Sequence, residues 1–212
     1  MFTNGIAKHT LHNLELLGKE LWVKKFYLAG GTAASLRLGH RYSFDLDYFT
    51  PDKFEVASVR QNLSRLGPVA VEHEGPETFL GSLNGERVSF FRYPYPVLFK
   101  TELFQRNQIA DLRDIACMKI DAISSRGIKR DFMDLYLISQ KYPLEDLFKF
   151  FEKKFTGTNF SMPHLLRSLS YFADAEESEE PKMIKNINWE EVKKFFISES
   201  LRLGKKLFSQ AK

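Results

Sequence analysis

Apolar residues recur at two different spacings along the chain, and the spacing changes near residue 110. Before that point, short stretches of alternating apolar and polar residues predict β-strands, because successive side chains of a strand point to opposite faces of a sheet. After it, apolar residues recur every three or four positions, which predicts helices. The strands are expected over residues 25–29, 43–49, 68–74, 77–83 and 87–93.

Turn-forming residues separate the elements of the first part. Asn84-Gly85 is typical of a two-residue turn between antiparallel strands. Gly39 is expected to end a short helix, because glycine readily adopts the left-handed conformation found there, and Thr32 is a candidate N-cap for the same helix. Helices of this part are predicted over residues 7–24, 32–38 and 51–66.

The second part of the chain is predicted to be helical throughout. An acidic segment, residues 174–181, is expected to be a solvated loop before the last helix. Together the two parts predict an α+β fold, with an α/β domain of residues 1–100 around a mixed sheet and a helical domain of residues 101–212. The helices are expected over residues 111–125, 131–140, 144–154, 163–173 and 188–209.

Composition narrows the class of protein. A single cysteine, Cys117, cannot form an internal disulfide and favours a reducing compartment. No apolar run is long enough to cross a bilayer, and the N-terminus is too polar for a signal peptide, so we expect a cytoplasmic protein without a membrane partner. A net charge of +4 is compatible with a polyanionic partner such as RNA or a nucleotide, and equally with an ordinary surface.

Candidate chemistry is concentrated in residues 28–50, which read LAGGTAASLRLGHRYSFDLDYFT. A strand that ends in Gly30-Gly31 and leads into a helix exposes backbone N–H groups, which can hold a phosphate group. Strand alternation predicts that Asp45 and Asp47 share one face, about 7 Å apart. Two carboxylates and substrate phosphates are the ligands that Mg²⁺ prefers, with Mn²⁺ as an alternative. The opposite, packed face is expected to carry Phe44, Leu46 and Tyr48.

This stretch resembles the first motif of the DNA polymerase β-like nucleotidyltransferase superfamily. More narrowly, it is similar to the AbiEii/AbiGii nucleotidyltransferase toxins of abortive-infection and toxin–antitoxin systems. The resemblance implies that Asp45 and Asp47 are catalytic metal ligands. It also implies that an NTP is bound by Gly30, Gly31, Thr32, Arg41 and Ser43.

A second block, DLRDIACMKIDAISSRGIKRDFMDLYLI from Asp111 onward, resembles the same family. Lys119 lies within an apolar helical stripe, where a lysine is unusual unless it is paired or functional; the alternative is a lysine that reaches solvent past the edge of the stripe. Asp131 and Asp134 lie one turn apart and suit either helix capping or a site. The resemblance favours Lys119 and Asp131 as catalytic and Asp134 as the partner of a basic group. A basic cluster at the turn between the two helices suits either the phosphate groups of a nucleotide or RNA, with Lys129 as the candidate ligand, or an ordinary charged surface; it consists of Arg126, Lys129 and Arg130.

Active members of the superfamily commonly carry a third carboxylate on a neighbouring strand. The corresponding strand here, RVSFFRY from Arg87, contains no acid; Ser89 is its only short polar residue, and the nearest acid is Glu86. Three interpretations remain open. Asp131 or another group substitutes, substrate phosphates complete the metal site, or activity has been lost.

The sequence therefore predicts a Mg²⁺-dependent nucleotidyltransferase. By resemblance, the favoured acceptor is the 3′ end of a tRNA, with another RNA, a protein hydroxyl or a small molecule as alternatives. The same resemblance implies a toxin held in check by a cognate antitoxin. A domain of the same fold that binds a nucleotide or a partner without catalysis is the alternative.

Overall fold

A mixed β-sheet forms the framework of the first of two compact units, Met1–Asp111 and Leu112–Lys212, in the computed structural model. The structure describes residues 1–210, without the side chains of Phe208 and Gln210. Within this range the sheet has seven strands in the order β3-β4-β5-β2-β1-β7-β6. The strands are β1 (Tyr27–Leu28), β2 (Leu46–Thr50), β3 (Val69–Gly75), β4 (Thr78–Leu83), β5 (Glu86–Arg92), β6 (Glu102–Phe104) and β7 (Asn107–Ile109).

Both parallel and antiparallel pairs occur, as the sequence predicted for a mixed sheet. β2 pairs in parallel with β5 and antiparallel with β1, whereas β1 pairs in parallel with β7. The hairpin between β4 and β5 turns at Asn84-Gly85, and both residues have positive φ. The helices of this unit are α1 (Lys8–Gly18), α2 (Gly30–Leu38) and α3 (Val56–Ser64), with a 3₁₀ helix at Leu21–Lys25.

One face of the sheet is packed with aromatic side chains. The rings of Tyr48 on β2 and Phe90 on β5 are stacked, with centroids 5.0 Å apart, and Phe26 meets Phe90 edge-on at the same centroid distance. Burial raises the pKa of the Tyr48 phenol, whose hydroxyl donates to Asn107 Oδ1 at 2.7 Å. This hydrogen bond satisfies the only polar group that Tyr48 brings into the core.

Several predicted boundaries in this unit are wrong, mainly because of contacts with segments that are distant along the chain. The first helix ends at Gly18, where a Cβ would lie 2.0 Å from the carbonyl oxygen of Gln105, and only a glycine permits that approach. The strand predicted from residue 43 begins at Leu46, because the preceding backbone bonds to other segments. Phe44 is therefore outside the strand and 44% exposed instead of packed. α3 begins at Val56 rather than at Pro51.

The sequence did not predict β6 and β7, which are three residues each. Their turn is formed by Gln105 and Arg106, which both have positive φ although neither is a residue type that favours it. β7 pairs with β1, so residues 102–109 belong to the first unit, and the unit ends after the boundary predicted at residue 100.

The second unit is helical, as predicted. Phe132 is fully buried against the rings of Phe172, Trp189 and Phe196, at centroid distances of 5.1, 5.9 and 5.5 Å. A short helix, Ala173–Glu177, overlaps the acidic segment that was predicted to be a loop, and the helix before it ends at Ser168. The helices are α4 (Leu112–Ser125), α5 (Lys129–Ser139), α6 (Leu144–Lys154), α7 (Met162–Ser168), α8 (Ala173–Glu177) and α9 (Trp189–Gln210).

No helix within residues 1–210 combines the length and apolar character needed to span a membrane.

Replacing Phe90 by alanine is expected to lower the free energy of unfolding by about 3–5 kcal/mol, the usual cost of removing a buried aromatic ring. Leu103→Ala, at a side chain that is 71% exposed, should change it by about 0.5 kcal/mol or less. Urea denaturation of both variants measures the difference. Equal losses would contradict the central position assigned to Phe90.

Candidate active site

The two glycines at the start of α2 lie against predicted site residues. Gly30 has φ of 65°, and a Cβ there would lie 2.9 Å from Asp47 Oδ2. A Cβ on Gly31 would lie 2.5 Å from an Arg41 guanidinium nitrogen and 3.0 Å from Ser43 Oγ. The absence of side chains at these two positions therefore lets the backbone approach a carboxylate and a guanidinium. Four of the predicted binding and metal residues, together with Gly30, meet at this turn.

Thr32 has a different role from the predicted N-cap. The N-cap position is occupied by Ala29, and Thr32 lies inside the first turn of α2. Its buried hydroxyl donates to the carbonyl oxygen of Asp45 at 2.6 Å and lies 2.9 Å from the hydroxyl of Ser43. Thr32 and Ser43 thus connect α2 to the segment that carries Asp45.

Further hydrogen bonds hold α2 along its length. Ser35 donates to the carbonyl oxygen of Arg41, and the carbonyl oxygen of Leu36 accepts from the backbone N–H of Phe2. Near the end of the helix, the Arg37 guanidinium donates to the carbonyl oxygens of Ile109 (3.1 Å) and Ala110 (2.5 Å). The helix is therefore bonded to three different segments of its own unit.

The two aspartates differ in backbone setting. Asp47 lies in β2, whereas Asp45 precedes the strand. Strand alternation therefore sets Asp47 and Phe49 on one face, as predicted, but it does not apply to Asp45. Both carboxylates are half-buried. The pKa of the exposed Arg87 guanidinium is raised, first by its hydrogen bond and ion pair with Glu72 and then by the negative charges of Asp45 and Asp47. The two carboxylates and Arg87 therefore share one region of the unit.

The position expected for a third carboxylate is occupied by Ser89. Parallel pairing of β2 with β5 sets Asp47 opposite Ser89, and both side chains are half-buried. Glu86 is three positions before Ser89 and so points to the other face of the strand; its carboxylate accepts a hydrogen bond from Thr10 at 3.1 Å. Within residues 1–210, no group of three or more histidine, cysteine, aspartate or glutamate side chains could hold a metal ion.

The second unit contains a buried ion-paired cluster of three predicted residues. Lys119 Nζ lies 2.6 Å from Asp131 Oδ1 and 2.6 Å from Asp134 Oδ2, and all three side chains are at most 8% exposed. The alternative in which Lys119 reaches solvent past the apolar stripe is therefore wrong. One ammonium and two carboxylates carry a net formal charge of −1, and Asp131 Oδ2 is buried without a hydrogen-bond partner among the described residues.

Lys129 is buried and already paired. Its ammonium lies 2.5 Å from Glu180 Oε2, and its side chain is 10% exposed. The neighbouring Arg126 and Arg130 are exposed, so the basic cluster predicted at this turn separates into one internal and two surface residues.

Sequence reasoning missed Arg87 and Glu180. Arg87 is two positions before Ser89 and thus on the same face of β5, a signal that strand alternation alone provides. Glu180 has no such signal, because its contact with Lys129 joins residues 51 positions apart.

Replacing Gly30 by alanine is expected to destabilise the protein more than replacing Gly85. Both residues have positive φ, 65° and 84°, so alanine costs about 1–2 kcal/mol at either position. Only at Gly30 would the new Cβ also meet Asp47, since nothing lies within 4 Å of a Cβ on Gly85. Urea denaturation measures the difference, and equal losses would mean that the Asp47 side chain moves aside without cost.

Comparison with known proteins identifies a matching family model and a close sequence relative. A family model described as "Nucleotidyl transferase AbiEii toxin, Type IV TA system" matches residues 14–109. A protein of uncharacterised function from Aquifex aeolicus, aq_aa25, is 41% identical over 181 residues, which are 81% of this chain and 84% of that protein.

Solved structures share the fold at low identity. MenT4, a nucleotidyltransferase toxin from Mycobacterium tuberculosis, has a TM-score of 0.62 and 15% identity, over 91% of this chain and 82% of that one. JHP933 from Helicobacter pylori has a TM-score of 0.54 and 16% identity, over 97% of this chain and 96% of that one. The chain belongs to the AbiEii family of nucleotidyltransferase toxins.

Proposed function

We propose that the protein is an active, Mg²⁺-dependent nucleotidyltransferase that moves a nucleotidyl group from an NTP to the 3′ end of a tRNA. The observation that carries the proposal is the contact between the Gly30 backbone and the Asp47 carboxylate, at the start of a helix. The first N–H groups of a helix have no partner within it and bind phosphate well. A triphosphate at this turn would lie beside a carboxylate of like charge, and a divalent cation removes that repulsion.

The donor set fits Mg²⁺. Asp45 and Asp47 would hold the ion, with substrate phosphates and water supplying the remaining oxygen ligands that Mg²⁺ normally keeps; Mn²⁺ would suit the same oxygen donors. The ion supplies neutralisation of charge on the phosphates and on the leaving group. Ser89, opposite Asp47, offers a neutral hydroxyl where a third carboxylate would add another negative charge.

The chain's own residues have distinct tasks in this proposal. Backbone N–H groups of Gly30 and Gly31 bind the triphosphate, and Arg41 adds positive charge against the same turn. The acceptor hydroxyl attacks the α-phosphorus, the bond between the α-phosphorus and its bridging oxygen to the β-phosphate breaks, and pyrophosphate leaves. The hydroxyl proton passes to a carboxylate of the Asp45–Asp47 pair and then to solvent.

The sequence resemblance of the second block implies that Lys119 and Asp131 take part in the same reaction. Because Lys119 is paired with Asp131 and Asp134, we expect it to act from within an ion-paired cluster rather than as an isolated cation. Neutralising a developing pyrophosphate would then require Lys119 to exchange one carboxylate for a phosphate oxygen.

The tRNA acceptor and the toxin role are proposals that rest on the family. The matching family model is described as a toxin of a type IV system, and MenT4 is named as a nucleotidyltransferase toxin. The net charge of +4 suits a polyanionic acceptor. A protein hydroxyl is the alternative acceptor. An antitoxin that restores growth of cells expressing the chain would support the biological role in abortive infection.

Label transfer tests the activity. With each α-labelled NTP, Mg²⁺, total tRNA and cell extract, we expect label in tRNA for the wild type and a loss of about a hundredfold or more for Asp47→Asn, because one metal ligand loses its charge. Asp52→Asn removes the same charge from an exposed residue shortly after β2 and should act like the wild type. Undiminished labelling by Asp47→Asn would refute the assignment of Asp47 as a metal ligand. Label found in protein instead of tRNA would identify a protein as the acceptor.

Two buried lysines allow a matched test of Lys119. Lys154 is paired with Asp114 at 2.7 Å, and both side chains are buried, as in the Lys119 cluster. Lys119→Met and Lys154→Met should each lower the free energy of unfolding by about 3–5 kcal/mol, because each removes the ammonium from a buried ion pair. With the folded fraction measured by circular dichroism, only Lys119→Met should reduce transfer per folded molecule. A similar reduction in both variants would assign Lys119 to the fold alone.

A domain that binds nucleotide without catalysis is the second candidate, and Ser89 at the third-acid position is the observation that favours it. Thermal stabilisation by each NTP, with and without Mg²⁺, in the wild type and Asp45→Ala distinguishes the two. Mg²⁺-dependent stabilisation without label transfer to any acceptor would support the non-catalytic candidate.

A further inference from the structure

Three buried lysines of the second unit differ in the exposure of their carboxylate partners. Lys119 and Lys154 are paired with aspartates that are at most 4% exposed. Lys129 is paired with Glu180, whose side chain is 66% exposed although the Lys129 side chain is only 10% exposed. This pair therefore joins a buried cation to an anion that is largely in water.

The two partners gain unequally from this contact. An exposed carboxylate is well solvated with or without a partner, so Glu180 loses little when the pair separates. A buried ammonium without a counter-charge is strongly unfavourable. Lys129 consequently requires an anion close to its ammonium, but that anion need not be Glu180.

The segment that carries Glu180 lies between two helices. Residues 178–188 contain no helix, and they connect α8 to α9. Apart from the ion pair, Ser178 Oγ accepts a hydrogen bond from the backbone N–H of Lys129 at 3.0 Å. Withdrawal of Glu180 would break one ion pair without unwinding a helix.

The surroundings of Lys129 favour an anionic ligand. The ammonium lies 5.4 Å from the centroid of the Trp189 ring, a contact that holds it in place without neutralising its charge. Arg126 and Arg130 lie at the same turn and are exposed. The neighbouring acid Glu176 is paired with Lys193 at 2.8 Å; its pKa is lowered mainly by its hydrogen bonds to Lys193 and Trp189, with a smaller contribution from the charge of Lys129.

We propose that Lys129 binds a phosphate group of the substrate and that Glu180 occupies this position when no substrate is present. The acidic segment is then an internal competitor that must be displaced by a ligand of higher charge. The proposal deepens the transferase assignment, from which the phosphate ligand is taken, but phosphate binding can be measured whether or not transfer takes place. The phosphate could belong to the NTP or to the RNA backbone.

Sodium tripolyphosphate is the probe for this position. Glu180→Gln should melt at a lower temperature than the wild type without the probe, because Lys129 loses its counter-charge. Tripolyphosphate should restore the melting temperature and bind about tenfold more tightly than to the wild type, which corresponds to about 1.4 kcal/mol. The measurement is made at constant low ionic strength, since salt screens such contacts.

Glu179→Gln is the matched control. Glu179 is the preceding residue, is exposed, and takes part in no ion pair among the described residues, so the variant should bind tripolyphosphate like the wild type. The double variant Lys129→Gln/Glu180→Gln removes both charges, leaves no buried charge unpaired, and should not be stabilised by tripolyphosphate. Equal affinity of Glu180→Gln and the wild type, or full stabilisation of the double variant, would overturn the proposal.

The source of the phosphate follows from two further titrations of Glu180→Gln. Tighter binding of NTP alone assigns Lys129 to the nucleotide, and tighter binding of a 5′-hydroxyl RNA oligonucleotide alone assigns it to the acceptor. Tighter binding of neither overturns the substrate role. If the wild type transfers no label but Glu180→Gln still binds tripolyphosphate more tightly, the transferase assignment is refuted and the phosphate-binding role of Lys129 is retained.

Discussion

The parallel pairing of β2 with β5 is the constraint on which the first unit's charged site depends. It sets Asp47 beside Ser89 on one face, while Tyr48 and Phe90 stack on the other. Because side chains alternate along both strands, a shift of one residue in this register would place the aspartate in the aromatic core. The cost of burying that charge is so large that the packing of the core also determines the direction of the carboxylate.

The aromatic core and the charged site are therefore two sides of one sheet, and neither can change alone. Gly30 adds a second constraint from the neighbouring helix, since its backbone lies against the same carboxylate. The positive charge of Arg87, on β5, partly offsets the negative charge of the site, since Arg87 interacts electrostatically with both aspartates. The site thus combines contributions from a turn, a strand and the strand paired with it.

Sequence patterns predicted much of this molecule. Helical periodicity located α4, α5 and α6 to within a few residues, and Asn84-Gly85 identified its hairpin, because these signals are local. The failures are places where distant segments decide the conformation. Phe44 is exposed since the backbone around it bonds to the N-terminal segment and to α2 rather than to a sheet. The turn of Gln105 and Arg106 could not be predicted, because neither residue is a glycine or an asparagine, which favour the positive φ found there.

The hydrogen bonds along α2 have a consequence for the energetics of ligand recognition. Because Thr32, Ser35 and Arg37 attach the helix to surrounding backbone at both ends and in the middle, its N-terminal turn has little freedom left to lose. A ligand that meets such a preorganised turn spends little of its interaction free energy on ordering the protein. Discrimination between ligands would then arise chiefly from the groups they present to this turn, and conformational adjustment would be left to less tightly bonded segments.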